Sequence, residues 1–404
     1  MVNDKTEAIR AFQLPPGVKL ELGGHPRALF EAADLIVISP GVPTNLPELE
    51  AARKKGVEVI GEIELAARQV TGPIVAITGT NGKSTTTALC GEICGGFTGG
   101  NLGTPFIEAA GRTDINVVEV SSFQLETIVT FRPRVAVLLN ITPDHLDRYR
   151  DMAEYVAAKA RIFENQTPGD FAIVNGSDPV ALECAAGTRA RTLRFTSSGK
   201  TDQGAFLDGG DIVLRIDREE RYPLSELQLV GRHNAENAMA AFLAARLVGI
   251  APDRVRQIAK SFKALPHRME LVGQSPADVR YYDDSKGTNV GAVAASLEGF
   301  PRPFVLIAGG KHKGGSYAPL RKVMRHARAL VLIGEAGPLM QKELSDVVDT
   351  HRAASLDEAV DKAAELAKPG DAVVLSPACS SFDMFRNYEH RSEVFRAAVR
   401  RVTQ

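Results

Sequence analysis

One short stretch of the chain carries the strongest chemical signal. Residues 79–85 read GTNGKST, directly after the β-branched run IVAIT and directly before a helix-forming segment. Glycines at 79 and 82 let backbone N–H groups face a phosphate, while Lys83 and the amino end of the helix add positive charge. The pattern is a short G-x-x-G-K-[ST] variant of a nucleotide-binding loop, in which Ser84 would bind Mg²⁺. We therefore expect ATP or GTP to bind here, and a purely structural glycine turn is the alternative.

Acidic, amide and imidazole side chains follow two further apolar runs. Glu119 ends the run NVVE, and the run VAVLLN is followed by a polar cluster. The members of that cluster are Asn140, Asp144, His145 and Asp147. Side chains at the carboxyl ends of parallel strands meet at the ligand-binding edge of a sheet, where oxygen ligands suit Mg²⁺. Taken singly, Glu119 is also consistent with a solvated carboxylate and His145 with a hydrogen-bonded loop residue.

Two predicted helices carry polar residues whose pattern alone favours an ordinary role. Lys159 lies in AEYVAAKARIFEN, where lysine usually belongs to the solvated face. Asn234 and Asn237 lie one turn apart in GRHNAENA, so that they could cap the helix or contact a purine edge, and capping is the default.

Two stretches in the last third of the chain resemble anion-binding loops, and a third carries hydroxyl groups. YYDDSKGTN contains Asp283, Asp284, Ser285, Lys286 and Thr288 between a strand and a helix. GGKHKGG places two lysines in a glycine-rich loop that a flexible turn would also explain, and SPACSS places three hydroxyls after a buried strand. Because no G-x-S-x-G elbow surrounds these serines, serine nucleophilic catalysis is not expected.

The elements that position these residues follow from hydrophobic patterning. Short Val, Ile and Leu runs alternate with segments of helical period, which predicts parallel sheets with crossover helices. Between residues 187 and 230 the strand-like segments are short, polar and rich in glycine, which predicts a hairpin-rich insert at the edge of the second domain. The predicted helices span 83–94, 153–165, 234–248, 252–263, 289–299, 355–367 and 392–401.

Composition limits the class of protein. The chain has 404 residues, which predicts two to three domains, and a formal net charge of −1, which gives no global field for polyanions or membranes. The four cysteines match neither a disulfide framework nor a zinc ribbon and are expected to be reduced thiols. The amino terminus has no apolar signal core, so we expect a cytoplasmic protein that is neither exported nor membrane-bound.

The motifs, in this order along the chain, resemble the Mur ligase family of ATP-dependent amide-bond-forming enzymes, from about residue 35 to the end. SSFQLE, DHLDRY, DDSKGTN and SPACSSFDMFRNYEHR are most similar to members that add D-glutamate to UDP-N-acetylmuramoyl-L-alanine in peptidoglycan precursor synthesis. That step serves cell-wall biogenesis, cell shape and cell division. The resemblance implies an α/β protein with three domains. The first is a truncated Rossmann-like N-terminal domain over 1–61 for the UDP precursor, and the second is a P-loop ATPase domain over 62–265 with a parallel sheet and a small β insert. The third is a Rossmann-like amino-acid-binding domain over 266–404.

The resemblance also implies a role for each candidate residue. The acceptor carboxylate is phosphorylated by ATP, and the amine of the amino acid then displaces phosphate. Lys83, His145 and Lys159 match catalytic positions. The matching Mg²⁺ positions are Ser84, Glu119, His145 and a carbamylated Lys159, and the resemblance implies two Mg²⁺ ions. The positions that match ATP contacts are Gly79, Thr80, Asn81, Gly82, Lys83, Ser84, Thr85, Asn237, Arg268 and Asp284. The positions that match substrate contacts are Asn101, Ser121 and Gln124 for the precursor, and Lys286, Thr288, Lys313, Ser381, Phe382 and Tyr388 for D-glutamate. Lys311 matches the same family position as well as Lys313 does.

One departure from the family pattern concerns the beginning of the chain. MVNDKTEA looks like the end of the second strand of the family's first domain, so we expect weakened precursor binding, with Asp4 and the SPG at 39–41 as remaining contacts. The expected partners are UDP-N-acetylmuramoyl-L-alanine, D-glutamate and ATP, without nucleic acid or membrane, and we expect a monomer. Two alternatives stay open: another amide ligase such as a folylpolyglutamate synthase-like enzyme, and a nucleotide-binding protein without ligase activity.

Overall fold

The computed structural model describes residues 1–4, 15–229, 231–263 and 265–404. Within them the chain forms three groups of strands: two two-stranded sheets near the amino terminus, a nine-stranded sheet and a six-stranded sheet. No helix in these ranges is long and apolar enough to cross a bilayer.

The amino-terminal region contains two parallel strand pairs, β1–β2 and β3–β4. The exposed side chains of Leu35 and Val37 lie on β3. A short helix, α3, then leads to the central sheet and is fixed by Glu64, whose buried carboxylate accepts bonds from the backbone N–H groups of residues 129–131. The elements are β1 Val2–Asp4, β2 Leu20–Leu22, α1 Arg27–Glu31, β3 Leu35–Ile38, α2 Pro47–Lys54, β4 Glu58–Gly61 and α3 Glu62–Ala67.

The central sheet contains the strand that leads into the glycine-rich loop, and that strand lies between two parallel neighbours. The sheet order is β13-β12-β11-β10-β9-β8-β5-β7-β6, so β5 is flanked by β7 and β8. The strands are β5 Ile74–Thr78, β6 Phe97–Gly100, β7 Asn116–Glu119, β8 Val135–Leu138, β9 Phe171–Asn175, β10 Arg191–Thr196, β11 Gly204–Asp208, β12 Asp211–Arg215 and β13 Glu219–Pro223. The helices are α4 Lys83–Cys94, α5 Ser122–Leu125, α6 Met152–Ala160, α7 Pro179–Ala185, α8 Arg232–Leu247 and α9 Pro252–Ser261. Because all five residues of β5 and all four of β7 and of β8 are buried, these strands read as continuous apolar runs rather than alternating ones.

The insert predicted over 187–230 is only partly composed of hairpins. Strands β11, β12 and β13 form two antiparallel pairs at one end of the central sheet, as the sequence predicts. In contrast, β10 is parallel to β9 and β11 is parallel to β10, so two strands of this segment continue the crossover pattern. The exposed turn at Asp217 and Arg218 joins β12 to β13.

The carboxyl-terminal sheet has the order β14-β15-β19-β16-β17-β18, in which only the β14–β15 pair is antiparallel among the described strands. Its strands are β14 Glu270–Gln274, β15 Arg280–Asp283, β16 Phe304–Gly309, β17 Ala327–Ile333, β18 Thr350–Arg352 and β19 Ala372–Leu375. Its helices are α10 Val290–Leu297, α11 Arg321–Met324, α12 Gly337–Leu344, α13 Leu356–Leu366 and α14 Tyr388–Thr403. Separate apolar clusters cover the two faces of each large sheet.

Two predicted helix boundaries are wrong for local reasons. The helix predicted over 153–165 ends at Ala160 and continues as one 3-10 turn, Arg161–Phe163. The last helix begins at Tyr388 rather than 392, because the side chain of Asn387 accepts a hydrogen bond from the N–H of His390 and caps the helix earlier. The boundaries at 61/62 and 265/266 follow the end of β4 and precede β14, and they stay predictions.

Candidate active site

The glycine-rich loop lies between β5 and α4, and its glycines are sterically required. Gly79 and Gly82 have φ angles of 148° and 84°. A Cβ on Gly82 would lie 2.2 Å from Oδ1 of Asn237, and a Cβ on Gly79 would lie 2.9 Å from the Cβ of Leu139. A side chain at either position would therefore displace the loop.

Residues that follow β8 hold this loop in place. The N–H of Thr80 donates to the carbonyl of Asn140 at 2.8 Å, and the N–H of Asn81 donates to the side-chain oxygen of Asn140 at 2.8 Å. The amide of Asn140 returns a bond to the carbonyl of Asn81 at 3.0 Å. Asn140 thus fixes the loop without using the N–H groups of residues 82–84 at the start of α4.

The side chain of Lys83 folds back over the loop. Its Nζ donates to the carbonyls of Gly79 and Thr80 at 3.0 and 2.9 Å. Burial lowers the pKa of Lys83, and attraction by Glu119 and Asp144 opposes that shift. Ser84 and Thr85 are buried in the first turn of α4, whose amino end adds a positive partial charge.

Glu119 is buried rather than solvated, so the simpler interpretation of this carboxylate is wrong. It lies at the end of β7, paired in register with Ile77 of β5, and is 2% exposed. Its Oε1 accepts a bond of 2.7 Å from the amide of Asn101, whereas its Oε2 is buried with no partner among the described residues. A buried carboxylate oxygen without a donor is suited to a cation.

Asp144 and His145 follow β8, and only part of the predicted polar cluster is inside the site. Burial lowers the pKa of His145 to about 4, which keeps the ring neutral, and its ring centroid lies 4.9 Å from that of Phe123. Asp144 accepts bonds from Lys313 at 3.1 Å and from Asn289 at 3.1 Å. Asp147, the other carboxylate of the cluster, is exposed.

Lys159 does not belong to the solvated face of its helix. It is 2% exposed, and its Nζ donates to the carbonyl of Gly79 at 2.9 Å and lies 4.9 Å from the ring centroid of Tyr155. Burial lowers the pKa of Lys159 well below its usual value, and repulsion from Lys83 lowers it further. The helical pattern did not predict the burial of Lys159, because this side of α6 packs against the central sheet.

Asn237 is likewise not a helix cap. The helix α8 begins at Arg232, so Asn237 lies in its second turn, where its Oδ1 accepts a bond of 3.3 Å from Thr86 of α4. The same oxygen lies beside Gly82, which places Asn237 next to the glycine-rich loop.

Arg268 is half-buried and Asp284 is buried, and the two side chains attract each other. Burial lowers the pKa of Arg268, and attraction by Asp284 and Glu119 opposes that shift. Burial raises the pKa of Asp284 to about 6, although Ser376 donates a hydrogen bond of 2.5 Å to it. Asp284 therefore lies close to its ionisation point at neutral pH.

The two lysines of GGKHKGG have different environments. Lys313 is paired with Asp144 at 3.1 Å, whereas Lys311 is exposed and its backbone forms a bridge with Ser380. The structure therefore favours Lys313 as the lysine that faces the site.

The other residues expected to contact the amino acid come from the loops after β15 and β19 and from the first residue of α14. The Nζ of Lys286 lies 5.4 Å from the ring centroid of Tyr388, and Thr288 follows in the same loop. Ser381 is buried, and Phe382 is 69% exposed and lies on the surface.

Only some of the residues expected near the precursor line a cleft beside the amino-terminal region. Ser121 and Gln124 form a capping box at the start of α5. Gln124 lines a cleft together with Ser39, Pro40 and Phe123. Asn101 lies beside Glu119, and Asp4 lies on β1 and is not among the residues that line this cleft.

Electrostatic interactions join most of these groups into one cluster. Its members are four cations, Lys83, Arg268, Lys286 and Lys313, the buried amine of Lys159, and three carboxylates, Glu119, Asp144 and Asp284. The excess of positive charge suits polyphosphates and carboxylates.

Sequence reasoning missed two polar residues of this cluster. Asn289 donates to Oδ1 of Asn81 at 2.9 Å as well as to Asp144, and so connects the carboxyl-terminal sheet to the glycine-rich loop. Tyr155 contacts the hydroxyl of Thr80 at 3.0 Å. The sequence contained a signal only for Asn289, as a cap at the start of a predicted helix, and that signal did not point to the loop.

Three family models match the chain over most of its length. They are the Mur ligase MurD-like N-terminal domain over residues 1–61, the Mur ligase middle domain over 77–245 and the Mur ligase glutamate ligase domain over 267–379. Among similar proteins, a UDP-N-acetylmuramoylalanine--D-glutamate ligase of Geobacter metallireducens is 53% identical and is matched over 95% of this chain and 86% of its own length. A protein of the same name from Trichlorobacter lovleyi is 50% identical over 95% of this chain and 88% of its own length.

Solved structures share the fold at low sequence identity. A pseudomurein peptide ligase type C of Methanothermus fervidus superposes with a TM-score of 0.64 at 22% identity, over 96% of this chain and 90% of its own. The MurF ligase of Thermotoga maritima in complex with ADP gives a TM-score of 0.62 at 16% identity, over 92% of this chain and 99% of its own.

Proposed function

Because the chain belongs to the Mur ligase family, we propose that it is an ATP-dependent ligase that joins D-glutamate to UDP-N-acetylmuramoyl-L-alanine in peptidoglycan precursor synthesis. The names of its relatives support this choice of substrates. One observation in the structure carries the proposal: the glycine-rich loop, the unpartnered oxygen of Glu119 and buried Lys159 lie in one cluster with an excess of positive charge.

In the first step the carboxylate of the precursor's alanine attacks the γ-phosphorus of ATP, and the bond to the bridging oxygen of ADP breaks. The product is an acyl phosphate, which is a better electrophile than a free carboxylate. Backbone N–H groups at the start of α4 and the ammonium of Lys83 would hold the β- and γ-phosphates. Lys83 would leave the carbonyls of Gly79 and Thr80 and turn toward the phosphates. Catalysis then depends mainly on positioning and charge neutralisation.

The chain's own residues fit Mg²⁺, which would neutralise charge on the transferred phosphoryl group. The buried Oε2 of Glu119 has no hydrogen-bond donor, and the neutral ring of His145 can offer a nitrogen lone pair. Ser84, the second residue of α4, would offer its hydroxyl. We propose that these three residues and a modified Lys159 hold the ions.

Lysine at position 159 fits this role only after modification, because an ammonium group repels a metal ion. Burial favours the neutral amine of Lys159, and a neutral amine is the form that adds to CO₂. In that reaction the nitrogen forms a bond to carbon and releases a proton, and the product is a carbamate anion. We propose that Lys159 is carbamylated in this way.

In the second step the amine of D-glutamate attacks the acyl phosphate, the amide bond forms and phosphate leaves. D-Glutamate has two carboxylates, and the loops after β15, β16 and β19 offer Lys286, Lys313 and Ser381 to receive them. We propose that Thr288, Phe382 and Tyr388 complete this pocket. Lys313 would exchange its contact with Asp144 for a substrate carboxylate.

We assign the precursor to the cleft formed by Ser39, Pro40, Phe123 and Gln124, with Asn101 and Ser121 toward the reacting carboxylate. Asn237, Arg268 and Asp284 are assigned to ATP. A cytoplasmic location and a monomeric state stay predictions.

The proposal is tested by measuring amide product and phosphate release from the purified chain with Mg²⁺, ATP, UDP-N-acetylmuramoyl-L-alanine and D-glutamate. Lys83→Ala is expected to lower the rate about a thousandfold, because a contact to the transferred phosphoryl group is lost. Lys342→Ala, which removes an exposed lysine of α12, is the matched control and should leave the rate unchanged.

Three outcomes separate the candidate functions. Product that forms with the muramoyl nucleotide and D-glutamate supports the proposal. Product that forms only with a folate and L-glutamate identifies a folylpolyglutamate-type ligase. ATP binding without any amide product identifies a nucleotide-binding protein and refutes the ligase.

A further inference from the structure

Arg391 is a buried cation to which no step of the proposed reaction assigns a role. It lies in the first turn of α14 and has 0% exposure. Its Nη2 donates to the carbonyl of Ser285 at 2.8 Å, and its Nη1 donates to the carbonyl of Cys379 at 3.2 Å. The guanidinium therefore connects α14 to two separate loops.

A third loop also lies against this guanidinium. A Cβ added to Gly310 would come within 3.5 Å of Nη1 of Arg391, so the backbone after β16 closely approaches the same group. The three loops that meet at Arg391 follow β15, β16 and β19. They are also the loops that carry Lys286, Lys313 and Ser381, which we propose to contact the amino acid.

The charge of Arg391 is not compensated by an ion pair. Among the described residues no carboxylate lies within salt-bridge distance of Arg391, and its Nε is buried without a partner. Burial lowers the pKa of Arg391 to about 10, and attraction by Asp383, Asp283 and Asp284, which form no direct pair with it, opposes that shift, so the group remains a cation at neutral pH. Because burying a charge is costly, a well-packed apolar side chain of similar volume often gives equal or greater stability. Stability alone therefore does not account for an arginine at this position.

We propose that Arg391 is a positioning residue for the amino-acid site: it connects the three loops that form the pocket and places a buried positive charge behind it. This inference rests on the proposed ligase function. A dicarboxylate substrate suits such a pocket, since the charge is separated from solvent and its field extends into the site. Arg391 would act through Ser285, Cys379 and the loops that contain them, without touching the substrate.

The test compares Arg391→Met and Arg391→Lys with Arg401→Met. Methionine keeps much of the volume and removes the charge and both hydrogen bonds, and lysine keeps the charge but loses the two-pronged contact. Arg401 is the matched control, because it lies on the same helix and forms exposed pairs with Asp357 and Asp361.

For Arg391→Met we expect the KM for D-glutamate to rise about tenfold or more, while the KM values for ATP and for UDP-N-acetylmuramoyl-L-alanine change less than about threefold. Arg391→Lys should show a smaller rise in the KM for D-glutamate, and Arg401→Met should match the wild type. Equal rises in all three KM values, or no rise for D-glutamate, would overturn the inference.

Two further measurements keep the test decisive. If Arg391→Met does not fold, Arg391→Lys decides, and a KM for D-glutamate within twofold of the wild type overturns the inference. Wild-type protein that forms no amide product refutes the proposed function instead. In that case D-glutamate-dependent thermal stabilisation in the presence of Mg²⁺ and ADP is compared between wild type and Arg391→Met, and equal stabilisation, or none in either protein, overturns the role of Arg391.

Discussion

Replacing Asp284 by Asn is expected to stabilise the folded chain at neutral pH, although Asp284 is a proposed ATP contact. Burial raises the pKa of this carboxyl from 3.8 to about 6. A raised folded-state pKa contributes stability that is present below the unfolded pKa and is lost as the pH rises through the folded pKa. A pKa shift of about two units means that ionisation of Asp284 destabilises the folded chain by about 3 kcal/mol above pH 7. The destabilisation is about half of that at pH 5 and small near pH 4. Asparagine stays neutral and can still accept the hydrogen bond of Ser376.

Asp283→Asn provides the neighbouring comparison and should have the opposite sign. Burial alone would raise the pKa of Asp283, but hydrogen bonds from Ser285, Ser392 and His267 outweigh it and lower the pKa. The stability from this carboxylate is present above the unfolded pKa of about 3.8 and is lost only as the pH falls through the lower folded pKa. Loss of this buried network is expected to cost about 3 kcal/mol throughout pH 5–8.

The measurement is urea unfolding of the full chain followed by circular dichroism at pH 5, 6, 7 and 8. Unfolding midpoints are compared directly, because a chain with several sheets need not unfold in one step. We expect the midpoint of Asp284→Asn to exceed that of the wild type at pH 8 and the difference to shrink toward pH 5. A lower midpoint for Asp284→Asn at pH 8, or a difference independent of pH, would refute the reasoning about burial.

Three further predictions concern the glycine-rich loop, its contact with Asn289 and the buried carboxylate of Glu64. Gly82→Ala should raise the KM for ATP about tenfold, because the added Cβ would lie 2.2 Å from Oδ1 of Asn237. Gly95→Ala is the control: Gly95 has a φ of 73° and open space around the added Cβ, so the KM for ATP should change less than twofold. Asn289→Ser keeps a helix cap but loses the bonds to the loop and to Asp144, so kcat is expected to fall about tenfold at an unchanged melting temperature. Glu64→Gln should lower the free energy of unfolding by about 2 kcal/mol, since an amide cannot accept from all the N–H groups that face the carboxylate, and an unchanged urea midpoint at pH 7 would contradict this.

The phosphate-binding part of the site could be predicted from sequence because its signals are local. The glycines, Lys83 and Ser84 lie within a few positions of one another, and the predicted helix over 83–94 is confirmed by the structure. Apolar runs without alternation correctly indicated buried parallel strands, because such strands are covered on both faces. The end of β7 at Glu119 followed from the same pattern.

The environment of several site residues could not be predicted, because distant segments determine it. Lys159 has an ordinary helical position, and only the packing of α6 against the loop buries it. Lys311 and Lys313 are equivalent in sequence, and the contact with Asp144, which lies 169 positions away, distinguishes them. Arg391 lies within a motif used for the family resemblance, yet its contacts to three loops depend on the order of strands in the last sheet.

The turn at Asp217 and Arg218 offers a site for adding a segment to this protein. It joins the two outermost strands at one end of the central sheet, five and six positions from β5, or about 24–29 Å at the usual strand spacing. Since β12 runs antiparallel to β11, the turn also lies at the opposite ends of the strands from the glycine-rich loop. An affinity tag or fluorescent label inserted there would project into solvent and leave turnover intact. Immobilised or fluorescently labelled forms of the protein could therefore be prepared.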